Sequence, residues 1–158
     1  MTINFFMKRK IEALMEAARN GHAEVVKSLL ENGVDINARD EDGETALMKA
    51  ARNGHAEVVK LLLENGANVN VRDEDGWTAL MKAANKGHTE VVKLLLENGA
   101  NVNVRDEDGW TALMIAALSG HTEVVKLLLE KGADADITNK HGDTALMEAA
   151  RLLNYGGD

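Results

Sequence analysis

The stretch ENGANVNVRDEDGWTALMKAANKGHTEVVKLLL, residues 64–96, is followed at once by ENGANVNVRDEDGWTALMIAALSGHTEVVKLLL, residues 97–129. The two differ at three of 33 positions: Lys82/Ile115, Asn85/Leu118 and Lys86/Ser119. The same step of 33 links Gly43, Gly76, Gly109 and Gly142, and links Leu14, Leu47, Leu80, Leu113 and Leu146. His22, His55, His88 and His121 repeat with it too. A fixed period of this length marks a solenoid of stacked units, none of which can bury its apolar face alone.

One unit, Asp40 to Arg72, reads as turn, helix, turn, helix, connector. Asp40-Glu41-Asp42-Gly43 is turn chemistry, and Thr45 can cap the next helix through its hydroxyl. Ala46 to Arg52 forms a short helix whose small Ala50 and Ala51 allow a neighbouring helix to approach closely. Asn53-Gly54 ends it, Gly54 being suited to the left-handed conformation after a helix. His55-Ala56-Glu57 opens a second helix through Val58, Val59, Leu61, Leu62 and Leu63, which Asn65-Gly66 ends. Ala67 to Val71 is an extended connector.

These residues resemble the ankyrin-repeat motif. Its turn and first helix appear as Asp73-Glu74-Asp75-Gly76-Trp77-Thr78-Ala79-Leu80-Met81-Lys82-Ala83-Ala84. Its second helix begins as Gly87-His88-Thr89-Glu90-Val91-Val92, and its connector is Gly99-Ala100-Asn101-Val102-Asn103. The resemblance covers about residues 10–151. It departs from the motif where Pro-Leu-His becomes Ala-Leu-Met (Ala46, Ala79, Ala112 and Ala145; Met48, Met81, Met114 and Met147). The loss weakens the usual turn stabilisation, but Ala is the better helix former. The implied fold is an all-α ankyrin-repeat solenoid. Its expected units are an N-terminal capping repeat at 1–39, repeats at 40–72, 73–105 and 106–138, and an incomplete C-terminal repeat at 139–158, all one domain.

The ends are irregular. Lys10 stands in the slot of Gly43, so Asn4 could cap a longer first helix, Phe5 to Arg19, that buries Phe5 or Phe6. The last unit is expected to hold one helix from Thr144 to about Asn154, leaving Leu146, Leu152 and Leu153 partly open with Ala149 and Ala150. Either Leu152 to Tyr155 folds back and the chain is a monomer, which is the expectation, or chain ends associate.

Composition excludes several function classes. The 158 residues are 45% hydrophobic and 28% charged, a folded, soluble composition. With 18 Lys+Arg against 26 Asp+Glu the net charge is −8, unfavourable for nucleic-acid binding, which needs a basic face. There is no cysteine, hence no disulfide, thiolate metal site or cysteine nucleophile. No apolar run approaches the roughly 18 residues of a membrane span. The short apolar start precedes its charges, the wrong order for a secretory signal, so a cytoplasmic address is expected.

The His-x-Glu of four units (His22/Glu24, His55/Glu57, His88/Glu90, His121/Glu123) cannot converge on one ion, because residues two apart on a helix diverge. A histidine recurring in every unit reads as structural, bonded to backbone between helices and turns. The acidic turns lack the outer ligands of a calcium loop: those slots hold Ala38 and Lys49, Val71 and Lys82, Val104 and Ile115. No P-loop or dinucleotide fingerprint occurs. No catalytic residue, cofactor or metal is therefore expected.

The slots that vary between units carry the remaining information. After the turn Gly they read Glu44, Trp77, Trp110, Asp143; after Met, Lys49, Lys82, Ile115, Glu148. After Ala-Ala they read Arg52-Asn53, Asn85-Lys86, Leu118-Ser119, Arg151-Leu152. The resemblance implies that such turn and first-helix slots line a concave face where protein partners bind. The expected contact residues are Trp77, Trp110, Lys49, Arg52, Lys82, Asn85, Lys86, Ile115, Leu118 and Ser119. For each Trp three readings stand: a partner contact, packing on the neighbouring turn and first helix, or a fluorescence reporter or stabiliser installed in an engineered array. The near-identity of the inner units is compatible with recent duplication or with an engineered consensus scaffold that has no natural ligand.

Overall fold

Thr45, Thr78 and Thr111 each sit in extended backbone, and each hydroxyl oxygen accepts the amide N–H three residues on, from Met48, Met81 and Met114, at 3.3 Å. These caps start the first helix of each inner unit. The computed structural model describes residues 5–156, with side chains to residue 152. Among them it holds nine α-helices and no strand: α1 Phe5–Asn20, α2 Ala23–Glu31, α3 Ala46–Arg52, α4 Ala56–Glu64, α5 Ala79–Lys86, α6 Thr89–Glu97, α7 Ala112–Leu118, α8 Thr122–Glu130 and α9 Ala145–Gly156. Replacing Thr78 with Ala is expected to lower stability by about 1 kcal/mol, the usual worth of such a cap. An unchanged urea midpoint would show that the cap contributes nothing.

The odd-numbered helices pack side by side as one layer, and α2, α4, α6 and α8 form a second. Between the layers lies a continuous core. Leu47, Leu80 and Leu113 come from the first helices, Leu62, Leu95 and Leu128 from the second, all buried. Buried alanines (Ala50, Ala51, Ala83, Ala84, Ala116, Ala117) line the first helices and keep them close. The all-α solenoid expected from the period is the architecture found.

The recurring histidine is a staple between units. The ring N–H at Nε2 of His55 donates to the Arg19 carbonyl at 2.8 Å, that of His88 to Arg52 at 2.9 Å and that of His121 to Asn85 at 3.0 Å. Each ring lies on the glycine that ends the preceding first helix. At Gly87, where φ is +75°, an added Cβ would stand 2.6 Å from His121 Nδ1, so both the backbone and the space require glycine.

Polar seams repeat along the other edge. Asn37, Asn70 and Asn103 side-chain oxygens accept the amides of Asn68, Asn101 and Asp134, each at 2.8 Å. The guanidinium groups of Arg39, Arg72 and Arg105 donate to the carbonyls of Arg72, Arg105 and Thr138. Each turn is thus tied to the next through groups 31 or 33 residues away.

Two expectations about the ends change. Phe5 and Phe6 are not buried: they are 65% and 75% exposed and meet each other edge-on, with centroids 6.1 Å apart. The cause is that α1 begins in the slots that form the turn in later units. From Lys8 onward α1 faces the next turn, Arg39 to Asp42, across a groove of about 810 Å³. At the other end α9 runs on to Gly156, with Leu146, Met147 and Ala150 exposed and Leu152 half-buried over Gly120. Asn4 as a cap, and the side chains of Leu153 and Tyr155, lie outside the described residues.

Candidate functional site

Every acidic turn is closed by its own first carboxylate. Asp73 Oδ1 accepts the amides of Asp75 and Trp77, and Asp106 Oδ1 those of Asp108 and Trp110, all at 2.8–2.9 Å. Asp40 does the same for Asp42 and Glu44. The residue after the turn Gly is thereby held at the start of the first helix, and its side chain joins those of the helix on one face. Adjacent turns are also linked through backbone, Glu74 N–H to the Asp42 carbonyl and Glu107 N–H to that of Asp75.

At one end of this face stands a buried ionic network that sequence reasoning missed. Glu44 is buried and takes three cations. Lys49 Nζ lies 2.8 Å from its Oε1, Lys82 Nζ lies 2.8 Å from its Oε2, and Arg52 also pairs with it. Lys49 has Asp40 as a second partner at 2.8 Å, and Lys82 has Asp73 at 2.7 Å. Burial alone would raise the Glu44 carboxyl, but hydrogen bonds from Lys49, Lys82 and Arg52 hold it at about 2. Lys49 and Lys82 were expected to meet a partner. They are turned inward instead, because each is buried between two carboxylates of its own chain. The signal for this was available as opposite charges in neighbouring varied slots, Glu44 beside Lys49 and one unit from Lys82.

In the middle the face becomes apolar and accessible. Trp77, Asn85, Trp110, Ile115, Leu118 and Ser119 come together around a concavity of about 320 Å³, with Asp106 and Asp108 on its rim. Trp77 and Trp110 are half-buried, so both packing and contact with solvent are realised in the same side chains. Ile115, expected as a contact, is buried and forms the floor, because helix α7 packs between α5 and α9. Leu118 and Ser119 are exposed, as is Lys86 at the end of α5. Arg52 and Asn85 are half-buried. Ser119 donates to the Asn85 side-chain oxygen across the two units at 3.4 Å.

At the far end the cation slot holds an acid. Glu148 is fully buried with Asp143 beside it. Burial pushes its carboxyl up; Arg151, at 2.9 Å, opposes this and the Asp143 charge adds to it. The face therefore runs from a saturated ionic network, through an aromatic and apolar concavity, to a buried acidic pair.

A family model described as ankyrin repeats, in three copies, matches residues 14–106 and again residues 101–156. No curated protein matches the chain.

Proposed function

We propose, from the premise that this chain belongs to the ankyrin-repeat family, that it is a non-catalytic binding module whose partner protein docks on the turn and first-helix face of residues 73–119. Ankyrin repeats are generally protein–protein interaction modules and typically not enzymes. The observation that carries the reading is the central concavity, where two half-buried Trp side chains and exposed Leu118 meet between two units. Aromatic side chains that are partly desolvated already and rigidly held are the usual anchors of an interface. Its neighbours on the same face cannot serve in that way, since Lys49 and Lys82 are engaged within the chain.

The test is capture from a lysate with matched variants. Trp110→Ala is expected to weaken the captured complex by roughly 2 kcal/mol, the scale of an interface anchor. Lys60→Glu and Lys93→Glu, exposed on α4 and α6 of the opposite layer, should leave it unchanged. The reverse pattern would move the partner to the outer face. A second reading, an engineered scaffold without a natural ligand, is favoured by the near-identity of residues 64–96 and 97–129. Under that reading no specific partner is captured and the Trp substitutions change nothing.

A further inference from the structure

Three successive units hold an aspartate in the same turn slot, and two of them supply its cation from their own first helix. Asp40 Oδ2 has Lys49 Nζ at 2.8 Å, and Asp73 Oδ2 has Lys82 Nζ at 2.7 Å. That Lys82 ammonium also stands over the Trp77 ring, 5.7 Å from its centroid. In the third unit Ile115 replaces the lysine, and among the described residues no cation reaches Asp106. Asp106 Oδ2 instead takes the indole N–H of Trp77 at 2.9 Å.

Trp110 is left differently placed from Trp77. The unit after it has Asn139 in the aspartate slot, and Asn139 spends its side-chain oxygen on the amides of His141 and Asp143. Its remaining polar atom, Nδ2, is a donor and cannot accept an indole proton. Among the described residues the Trp110 indole N–H has no partner, and none of their cations lies over its ring. An indole N–H is itself a donor, so what this site offers a cation is the Trp110 ring and the Asp106 carboxylate, both of which line the concavity of about 320 Å³.

We infer that this concavity seats an arginine side chain of the partner. The guanidinium lies over Trp110 and faces Asp106 and Asp108, while its methylenes rest on Ile115 and Leu118. Lys82 over Trp77 beside Asp73 is the same arrangement made within the chain. Asp106 Oδ2 keeps a second lone pair beyond the one given to Trp77. Asp108 makes an exposed pair with Lys140 at 3.8 Å, which is worth little. Arginine fits better than lysine, because its planar, weakly hydrated group stacks on an indole and can fork to two carboxylates. The net charge of −8 attracts a basic segment. The assignment rests on the partner face proposed above and adds the chemistry of its anchor.

The experiment uses the full chain labelled with nitrogen-15, whose two Trp residues give two indole resonances. It is titrated with the capped peptide Gly-Leu-Arg-Leu-Gly and with the same peptide carrying neutral citrulline in place of arginine. The arginine peptide should shift the Trp110 indole resonance saturably. The citrulline peptide should bind about tenfold more weakly, near 1.4 kcal/mol, within the range for a partly desolvated cation–π contact. Ile115→Lys supplies the slot from within and should abolish the shift. Asp106→Asn keeps the turn, as Asn139 does one unit on, and should weaken binding about as much as citrulline. Equal responses to the two peptides, or binding untouched by both substitutions, would overturn the arginine assignment and leave the partner face standing. If neither peptide moves Trp110 the assignment also falls, and the face is then judged by the capture experiment alone.

Discussion

Replacing Glu44 with Gln is expected to destabilise the array by about 3 kcal/mol at pH 7 and by almost nothing near pH 2. The carboxylate sits under three cations, two of them buried lysines shared with neighbouring aspartates. Its carboxyl is lowered from the ordinary 4.5 to about 2. A shift of that size corresponds to about 3 kcal/mol, in keeping with the roughly 3–5 kcal/mol lost when one member of a buried ionic group is removed. The sign follows from the direction of the shift. A lowered carboxyl contributes fully above its unfolded value, and the contribution drains away as pH falls from about 5 towards 2. Urea midpoints of the two proteins should thus lie far apart at pH 7 and converge in acid. Equal midpoints at neutral pH, or a separation that persists into acid, would show that the network carries no net stability.

Leu80→Ala and Leu146→Ala are expected to behave as opposites although the two leucines hold the same slot two periods apart. Leu80 is 1% exposed between the helix layers, whereas Leu146 is 79% exposed on α9. Among the described residues no second helix follows α9 to cover it. Truncating the buried side chain removes its transfer energy and leaves a cavity, costing about 2–5 kcal/mol. Truncating the exposed one should stay within about 0.5 kcal/mol of zero. Chemical denaturation of both variants at several protein concentrations checks this. A large loss at Leu146 would mean that its face is covered in solution.

The period and the helix limits were legible because they are written in residue types with few alternatives. Thr78 before a helix and Gly87 after it each answer one local requirement of the backbone. The seams between units were not legible. The acceptors of His121, Arg72 and Arg105 are backbone carbonyls, which every residue possesses, so no side chain marks them. For the candidate site, a slot in the repeat tells which face a residue belongs to but not how deep it lies. In the slot after the turn Gly, Glu44 and Asp143 are buried, while Trp77 and Trp110 are half-buried and line the accessible concavity. Depth depends on which charges the same and the neighbouring unit offer: Glu44 draws Lys49 of its own unit and Lys82 of the next inward. Phe5 and Phe6 show the same limit, since their apolar character implied burial but both are exposed.

Hydrogen exchange of the captured complex, compared with the free chain, tests the partner face most directly. Binding on the turn and first-helix face should slow exchange at residues 73–86 and 106–119. The second helices α6, Thr89–Glu97, and α8, Thr122–Glu130, should be unaffected. Protection confined to α6 and α8, with both Trp turns exchanging as in the free chain, would contradict the account.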